Sequence, residues 1–332
     1  MLDSSKDKLT MIHIVRLLVL AALVFLNGCT TIGSYVVSKP SVYLSEAEFI
    51  SAEPEKIGFE QRKYCTKNTR VCLPYLFALP YQTTDEPVSY HLHSFSNGVE
   101  NNVSYRMTPD QFQRFNGTAV LVHGYGGNKR VMLATAMYFR ALGMKVIVPD
   151  LFGHGDSEQS FQFGAKEHLV LTELLERLSQ NEAVLVVGHS MGALPASNLL
   201  NAKPVKAAML LAPMMRFDLA AKEYLPYKSP SMASLFSSHL DEIIQYSLSE
   251  AKIQLADTDL RTVLQKSEKP VLMVTSDSDP VSPTEYFSVV NKTNITRIVW
   301  QNRSHSSLML FDSKNAEAIE TWLAQLKEFG VN

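Results

Sequence analysis

A mostly parallel central sheet flanked by helices is the fold class this sequence predicts, and three observations predict it. From Thr118 onward, short continuous apolar runs alternate with stretches of helical periodicity. One run, Ala183-Val184-Leu185-Val186-Val187, leads directly into Gly188-His189-Ser190-Met191-Gly192. Two later runs end in loops that hold aspartates and a histidine. Apolar strands without polar alternation are buried on both faces, and the intervening helices supply the cover. Right-handed crossovers then bring every strand C-terminus to one edge, where active sites of open α/β sheets lie.

The elements follow in chain order. Lys6, Lys8 and Arg16 precede or enter the apolar stretch Leu17–Leu26, which ends in Leu26-Asn27-Gly28-Cys29. A basic start, about ten apolar residues and a small residue before the cut fit an export signal. A membrane span needs about twenty apolar residues. Leu-Asn-Gly-Cys resembles the bacterial lipobox, in which the cysteine is acylated and becomes the new N-terminus, although Asn27 replaces the commoner Ala or Ser. The competing reading is an uncleaved signal anchor. Both tether the remaining chain outside the cytosol. Thr30 stands where an aspartate would resemble an inner-membrane retention signal, which favours the outer membrane, facing the periplasm.

Residues 30–87 show no sustained period and are expected to wrap the domain as an N-terminal extension. The α/β domain is expected over 88–332, opening with the alternating strand Val88–Ser94. His91 and His93 share one face of that strand, but no third ligand is evident, so no metal is assigned. Thr118–Val122, Val146–Val148, Ala183–Val187, Ala207–Leu211, Val271–Val274 and Thr296–Trp300 read as sheet strands. Arg130–Leu142, Glu167–Leu178 and Lys314–Phe329 read as helices. Between about 214 and 269 no buried-strand signal occurs. The Met, Phe and Tyr residues there, with helical patterns from Ser234 to Leu255, predict a helical cap over the C-terminal edge.

Composition narrows little more. The 332 residues carry a formal charge of −2 and a hydrophobic fraction of 46%, values of a globular chain with no nucleic-acid signature. There are three cysteines; acylation of Cys29 leaves Cys65 and Cys72. That even, closely spaced pair suits a disulfide in an oxidising compartment, worth about 2–3 kcal/mol, against the alternative of two idle thiols.

The chemistry centres on Ser190. Gly-x-Ser-x-Gly between a buried strand and a helix has the context of a nucleophile elbow, a turn too tight for side chains at its flanking positions. A serine needs a general base, and the base needs an orienting carboxylate. His305, in the loop after Thr296–Trp300, is the candidate base. Asp277 and Asp279 compete for the acid in the loop after Val271–Val274, and Asp279 is favoured. The backbone amides of Met191 and of Tyr125, in His123-Gly124-Tyr125-Gly126-Gly127, are the candidate oxyanion donors. His123 reads as a packing histidine, and Gly153-His154-Gly155-Asp156 as a structural turn behind the site.

Together these residues resemble the α/β-hydrolase family, with the monoacylglycerol lipase and lysophospholipase subgroup most alike. His-Gly-Tyr-Gly-Gly, Asp-Leu-Phe-Gly-His-Gly-Asp-Ser, Gly-His-Ser-Met-Gly, Asp-Pro-Val and Ser-His occur in the family's order. In relatives the aspartate of the Asp-Pro-Val turn is the triad acid, which implies Asp279. Pro195, inside the first turns of the elbow helix, departs from the pattern. The resemblance implies an α/β-hydrolase fold with a helical cap. It also implies a serine hydrolase that cleaves carboxylic esters through an acyl-enzyme, with no cofactor. The expected partners are a small-molecule or lipid ester and, through the lipid anchor, a membrane. Thioesterase, amidase, peptidase or acyltransferase activity on the same fold is the alternative, followed by a non-catalytic binding lipoprotein.

Overall fold

The computed structural model describes residues 30–43, 48–96, 98–179, 182–288 and 290–330. The segment expected to be an export signal, with Cys29, lies outside them. Among the described residues no helix is long and apolar enough to cross a membrane.

Six of the apolar runs join two strands from the preceding segment, β1 (Glu60–Cys65) and β2 (Cys72–Ala78), in one eight-stranded sheet of order β1-β2-β6-β5-β7-β8-β9-β10. The six strands from the α/β rhythm are mutually parallel: β5 (Thr118–Val122), β6 (Lys145–Pro149), β7 (Val184–His189), β8 (Val205–Leu211), β9 (Val271–Ser276) and β10 (Ile295–Trp300). Their continuous hydrophobicity has a direct cause, since alternate residues enter two separate cores. Val120, Val122, Val184 and Val186 face one layer, and Ala119, Leu121, Leu185 and Val187 face the other. The helix Glu167–Leu178 buries Glu167, Val170, Leu171, Leu174 and Leu175, the i, i+3, i+4, i+7, i+8 stripe of a helix lying on a sheet.

Residues 30–87 do more than wrap the surface. They supply β1 (Glu60–Cys65) and β2 (Cys72–Ala78), an antiparallel pair added to the free edge of β6. The sequence conceals both. β1 is an edge strand with mostly polar, exposed residues, and β2 contains Pro74, which reads as a strand breaker. Cys65 and Cys72 face each other across this pair and form a disulfide.

The strand that begins at Val88 is not part of the main sheet. β3 (Val88–Ser96) pairs only with β4 (Val99–Met107) as a separate hairpin, anchored by the Tyr90 hydroxyl donating to the Phe311 carbonyl at 2.7 Å. His91 meets the Ser104 hydroxyl and His93 meets Glu100, and no metal-binding cluster occurs among the described residues. The closing helix is also shorter than its period suggests. It ends at Leu323, and a separate turn, Lys327–Phe329, swings the fully buried Phe329 into the core.

Four helices occupy the interval between β8 and β9: Phe217–Lys228, Pro230–Phe236, Leu240–Glu250 and Leu260–Lys266. They form the cap. The order of the sheet reverses between β5 and β7, because the chain runs from β5 to β6 on one side and then to β7 on the other. Ligand sites of open α/β sheets lie at that switch point.

Candidate active site

β7 ends at His189, and Ser190 opens a tight helical turn that continues as the helix Ala193–Asn198. Ser190 has φ +51°, a left-handed conformation that a non-glycine residue adopts only when its surroundings impose it. The tight packing of the turn on its neighbours imposes it, and only glycine fits at the flanking positions. A Cβ on Gly192 would stand 2.3 Å from the Val122 carbonyl oxygen, and one on Gly188 would stand 2.5 Å from that of Gly192. Pro195 falls in the first turn of the elbow helix, where no intrahelical N–H is required, and its carbonyl accepts from the Leu199 amide, where a 3-10 turn over Leu199–Asn201 begins.

Three residues distant in sequence meet at this corner. His305 Nε2 lies 2.9 Å from Ser190 Oγ, and His305 Nδ1 lies 2.8 Å from Asp279 Oδ2. His305 and Asp279 are almost wholly buried. Burial pushes the Asp279 carboxyl up, but the adjacent His305 and the hydrogen bonds it receives outweigh this and hold it below the ordinary value. An ionised carboxylate only accepts, so Nδ1 carries the proton and Nε2 is left to accept from the serine hydroxyl. The Val281 and Ser282 amides donate to Asp279 Oδ1 and fix its plane.

Asp277 does different work. It is exposed, and its Oδ1 accepts from the Asn302 amide at 2.8 Å, which tethers the β9 loop to the β10 loop.

The loop His123-Gly124-Tyr125-Gly126-Gly127 lies against the elbow, where a Cβ on Gly124 would come within 3.0 Å of Ser190 Cβ. Met191 follows Ser190 in the opening turn, where helical N–H groups lack intrahelical partners. Two buried histidines staple the loop. His123 Nδ1 donates to the Gly124 carbonyl while its Nε2 accepts from the Leu151 amide; His154 Nδ1 donates to the Phe152 carbonyl while its Nε2 accepts from the Gly126 amide. Burial lowers the first to about 4 and the second to about 3, so both are neutral packing groups. Behind them, buried Lys129 pairs with Asp150 and Asp156 and rigidifies the 150–156 turn.

Two positioning residues escaped the sequence reading. His189 Nε2 donates to the backbone carbonyl of His305 at 3.1 Å, and burial, with His305 beside it, lowers His189 to about 3. Asn101, from β4, holds the His305 loop at two points: its Nδ2 donates to the Asn302 carbonyl and its Oδ1 accepts from the Ser304 amide. His189 sits inside the pentapeptide and was legible as a buried neighbour of Ser190. Asn101 gives no sequence signal, because its hairpin lies outside the motif-bearing region.

Ser190 and Met191 open into an apolar pocket under the cap, walled by Met214, Phe217, Leu225, Val281, Tyr125 and Val37.

The Alpha/beta hydrolase family model matches residues 119–320, and the chain belongs to that family. No curated protein matches the sequence. Among solved structures, an esterase from Pyrococcus furiosus aligns with a TM-score of 0.59 at 16% identity, over 87% of this chain and 98% of its own. An esterase from Thermogutta terrifontis gives 0.51 at 18% identity, over 80% and 98%. A membrane phospholipase A, described as a bacterial virulence factor, gives 0.53 at 17% identity, over 96% and 98%. At such identities the likeness is one of fold.

Proposed function

We propose that this chain is a membrane-tethered serine hydrolase that cleaves carboxylic esters of apolar acyl groups through an acyl-enzyme. One observation carries the reading: the hydrogen-bonded series Asp279–His305–Ser190 ends at the mouth of an apolar pocket. In this reading His305 takes the Ser190 proton as Oγ attacks the ester carbonyl, and Asp279 holds its tautomer and stabilises the imidazolium. The amides of Met191 and Tyr125 receive the developing oxyanion. The proton on His305 then passes to the departing alkoxide, and the same base activates a water that releases the acid.

The apolar walls favour a fatty acyl group, and a lysophospholipid or monoacylglycerol fits a tethered enzyme. Esterases and a phospholipase on the same fold agree with this choice. The tether is acylated Cys29, and the Cys65–Cys72 bridge suits an exported protein of the bacterial envelope.

A fluorophosphonate probe is expected to label Ser190, and a panel of esters, thioesters and amides of graded chain length is expected to rank medium and long esters first. A folded protein that takes no label would sink the reading; label with preferred amide or thioester turnover would move it to another acyl-transfer class. The two aspartates are separated by substitution. Asp279→Asn is expected to lower kcat by about 10⁴-fold, as loss of the tautomer-fixing acid does elsewhere, while Asp277→Asn loosens only a loop contact. A larger loss from Asp277→Asn reverses the assignment.

A further inference from the structure

Residues 30–37 immediately follow Cys29 and lie outside the span matched by the family model, yet they are packed onto the pocket. The segment is helical. Gly33, Ser34 and Val36 are buried while Ile32 and Tyr35 are exposed, the one-sided pattern of a docked helix. Gly33 rests on the cap helix Leu240–Glu250 so closely that a Cβ would stand 2.4 Å from Ile243 Cδ1. One turn on, the Ser34 and Ser247 hydroxyls are hydrogen-bonded at 2.9 Å in a buried contact.

The segment reaches the site at Val37. Its side chain lines the pocket that holds Ser190. Its carbonyl accepts from the Tyr125 hydroxyl at 2.9 Å. Tyr125 is wedged among Phe161, Phe217 and Tyr224, so its buried phenol needs an acceptor, and this segment supplies one. The residue of the loop that faces the serine is thereby braced from the segment next to the tether.

We propose that residues 30–37 form the outer wall of the acyl pocket and set the length of acyl chain the site accepts. The proposal rests on the reading of Ser190 as the nucleophile. A larger side chain at Val37 shortens the pocket and a smaller one lengthens it, provided the helix stays docked through Gly33.

The test uses the full chain in detergent micelles and p-nitrophenyl esters from butyrate to dodecanoate, with each preparation standardised by fluorophosphonate titration. Val37→Trp is expected to lower the ratio of dodecanoate to butyrate kcat/KM by about tenfold or more, the scale of removing room for a methylene or two. Val37→Ala is expected to raise that ratio. Combining Gly33→Val with Val37→Trp is expected to return the ratio toward wild type, because an undocked helix no longer carries the new side chain into the pocket. If both Val37 variants label normally and leave the ratio unchanged, residues 30–37 are a bystander and the proposal fails. If wild-type protein takes no label, the nucleophile reading fails first and this one with it.

Discussion

Ser190→Ala and His305→Ala are each expected to lower kcat by about a million-fold, and the double variant to be little worse than either single one. The expectation follows from how the groups act: serine without its base is a weak nucleophile, and the base without serine has nothing to activate. In a protease with the same set of groups, removing either alone costs about as much as removing all. The geometry makes this unit compact, since one imidazole spans Asp279 and Ser190 through its two nitrogens. Residual turnover of about 10³–10⁴ over water would come from the oxyanion amides and the pocket. Steady-state assays on a preferred ester, with circular dichroism to show that each variant is folded, check the result. His305→Ala with more than about a hundredth of wild-type turnover would place the base elsewhere.

The sheet was legible in the sequence because its inner strands are buried on both faces. A strand whose every residue enters one of two cores must be continuously apolar, as β5 and β7 are. The elbow was legible because its glycines answer a collision that no other residue survives. What failed to show was structure whose cause lies elsewhere in the chain. β1 owes its existence to β2, and β2 to the open edge of β6, so Glu60–Cys65 carries no hydrophobic period of its own. Asn101 matters only because the hairpin brings it against the loop of His305, two hundred residues away in sequence. Residues 30–37 likewise read as featureless until Gly33 and Val37 are seen against the cap and the pocket.

The histidines that brace the site also predict how the fold responds to acid. His123, His154 and His189 are buried and lowered from the ordinary 6.5 to about 4, about 3 and about 3. In each case burial is the largest cause, because it penalises the charged ring. As pH falls below 6.5 the unfolded chain therefore binds these protons first, and the stability they contribute is present above 6.5 and lost on the way down. Glu167 runs the other way. Burial, against the pull of several backbone N–H groups, raises it to about 7, so the folded chain takes up its proton first and regains stability between pH 7 and its ordinary 4.5. Three groups against one leave a net slope of about 3 kcal/mol per pH unit between pH 6 and 4.5, and a loss of about 5 kcal/mol from pH 6.5 to 4.5. Half-buried His168, also lowered by burial, adds in the same direction. Asp279, held below its ordinary 3.8, acts only in stronger acid. A loss of this size is a large share of the roughly 5–15 kcal/mol that holds a domain folded. Urea midpoints followed by circular dichroism across this range are expected to fall steeply as pH falls. Glu167→Gln is expected to steepen the slope to about 4 kcal/mol per pH unit, because it removes the one opposing proton. A Glu167→Gln slope no steeper than wild type would mean that Glu167 takes up no proton in this range, and a midpoint that stays flat from pH 6.5 to 4.5 would mean that these rings are not held neutral. The stapled loop around Tyr125 would then lose its physical basis, since the Gly126 and Leu151 amides donate to rings that must be neutral to accept.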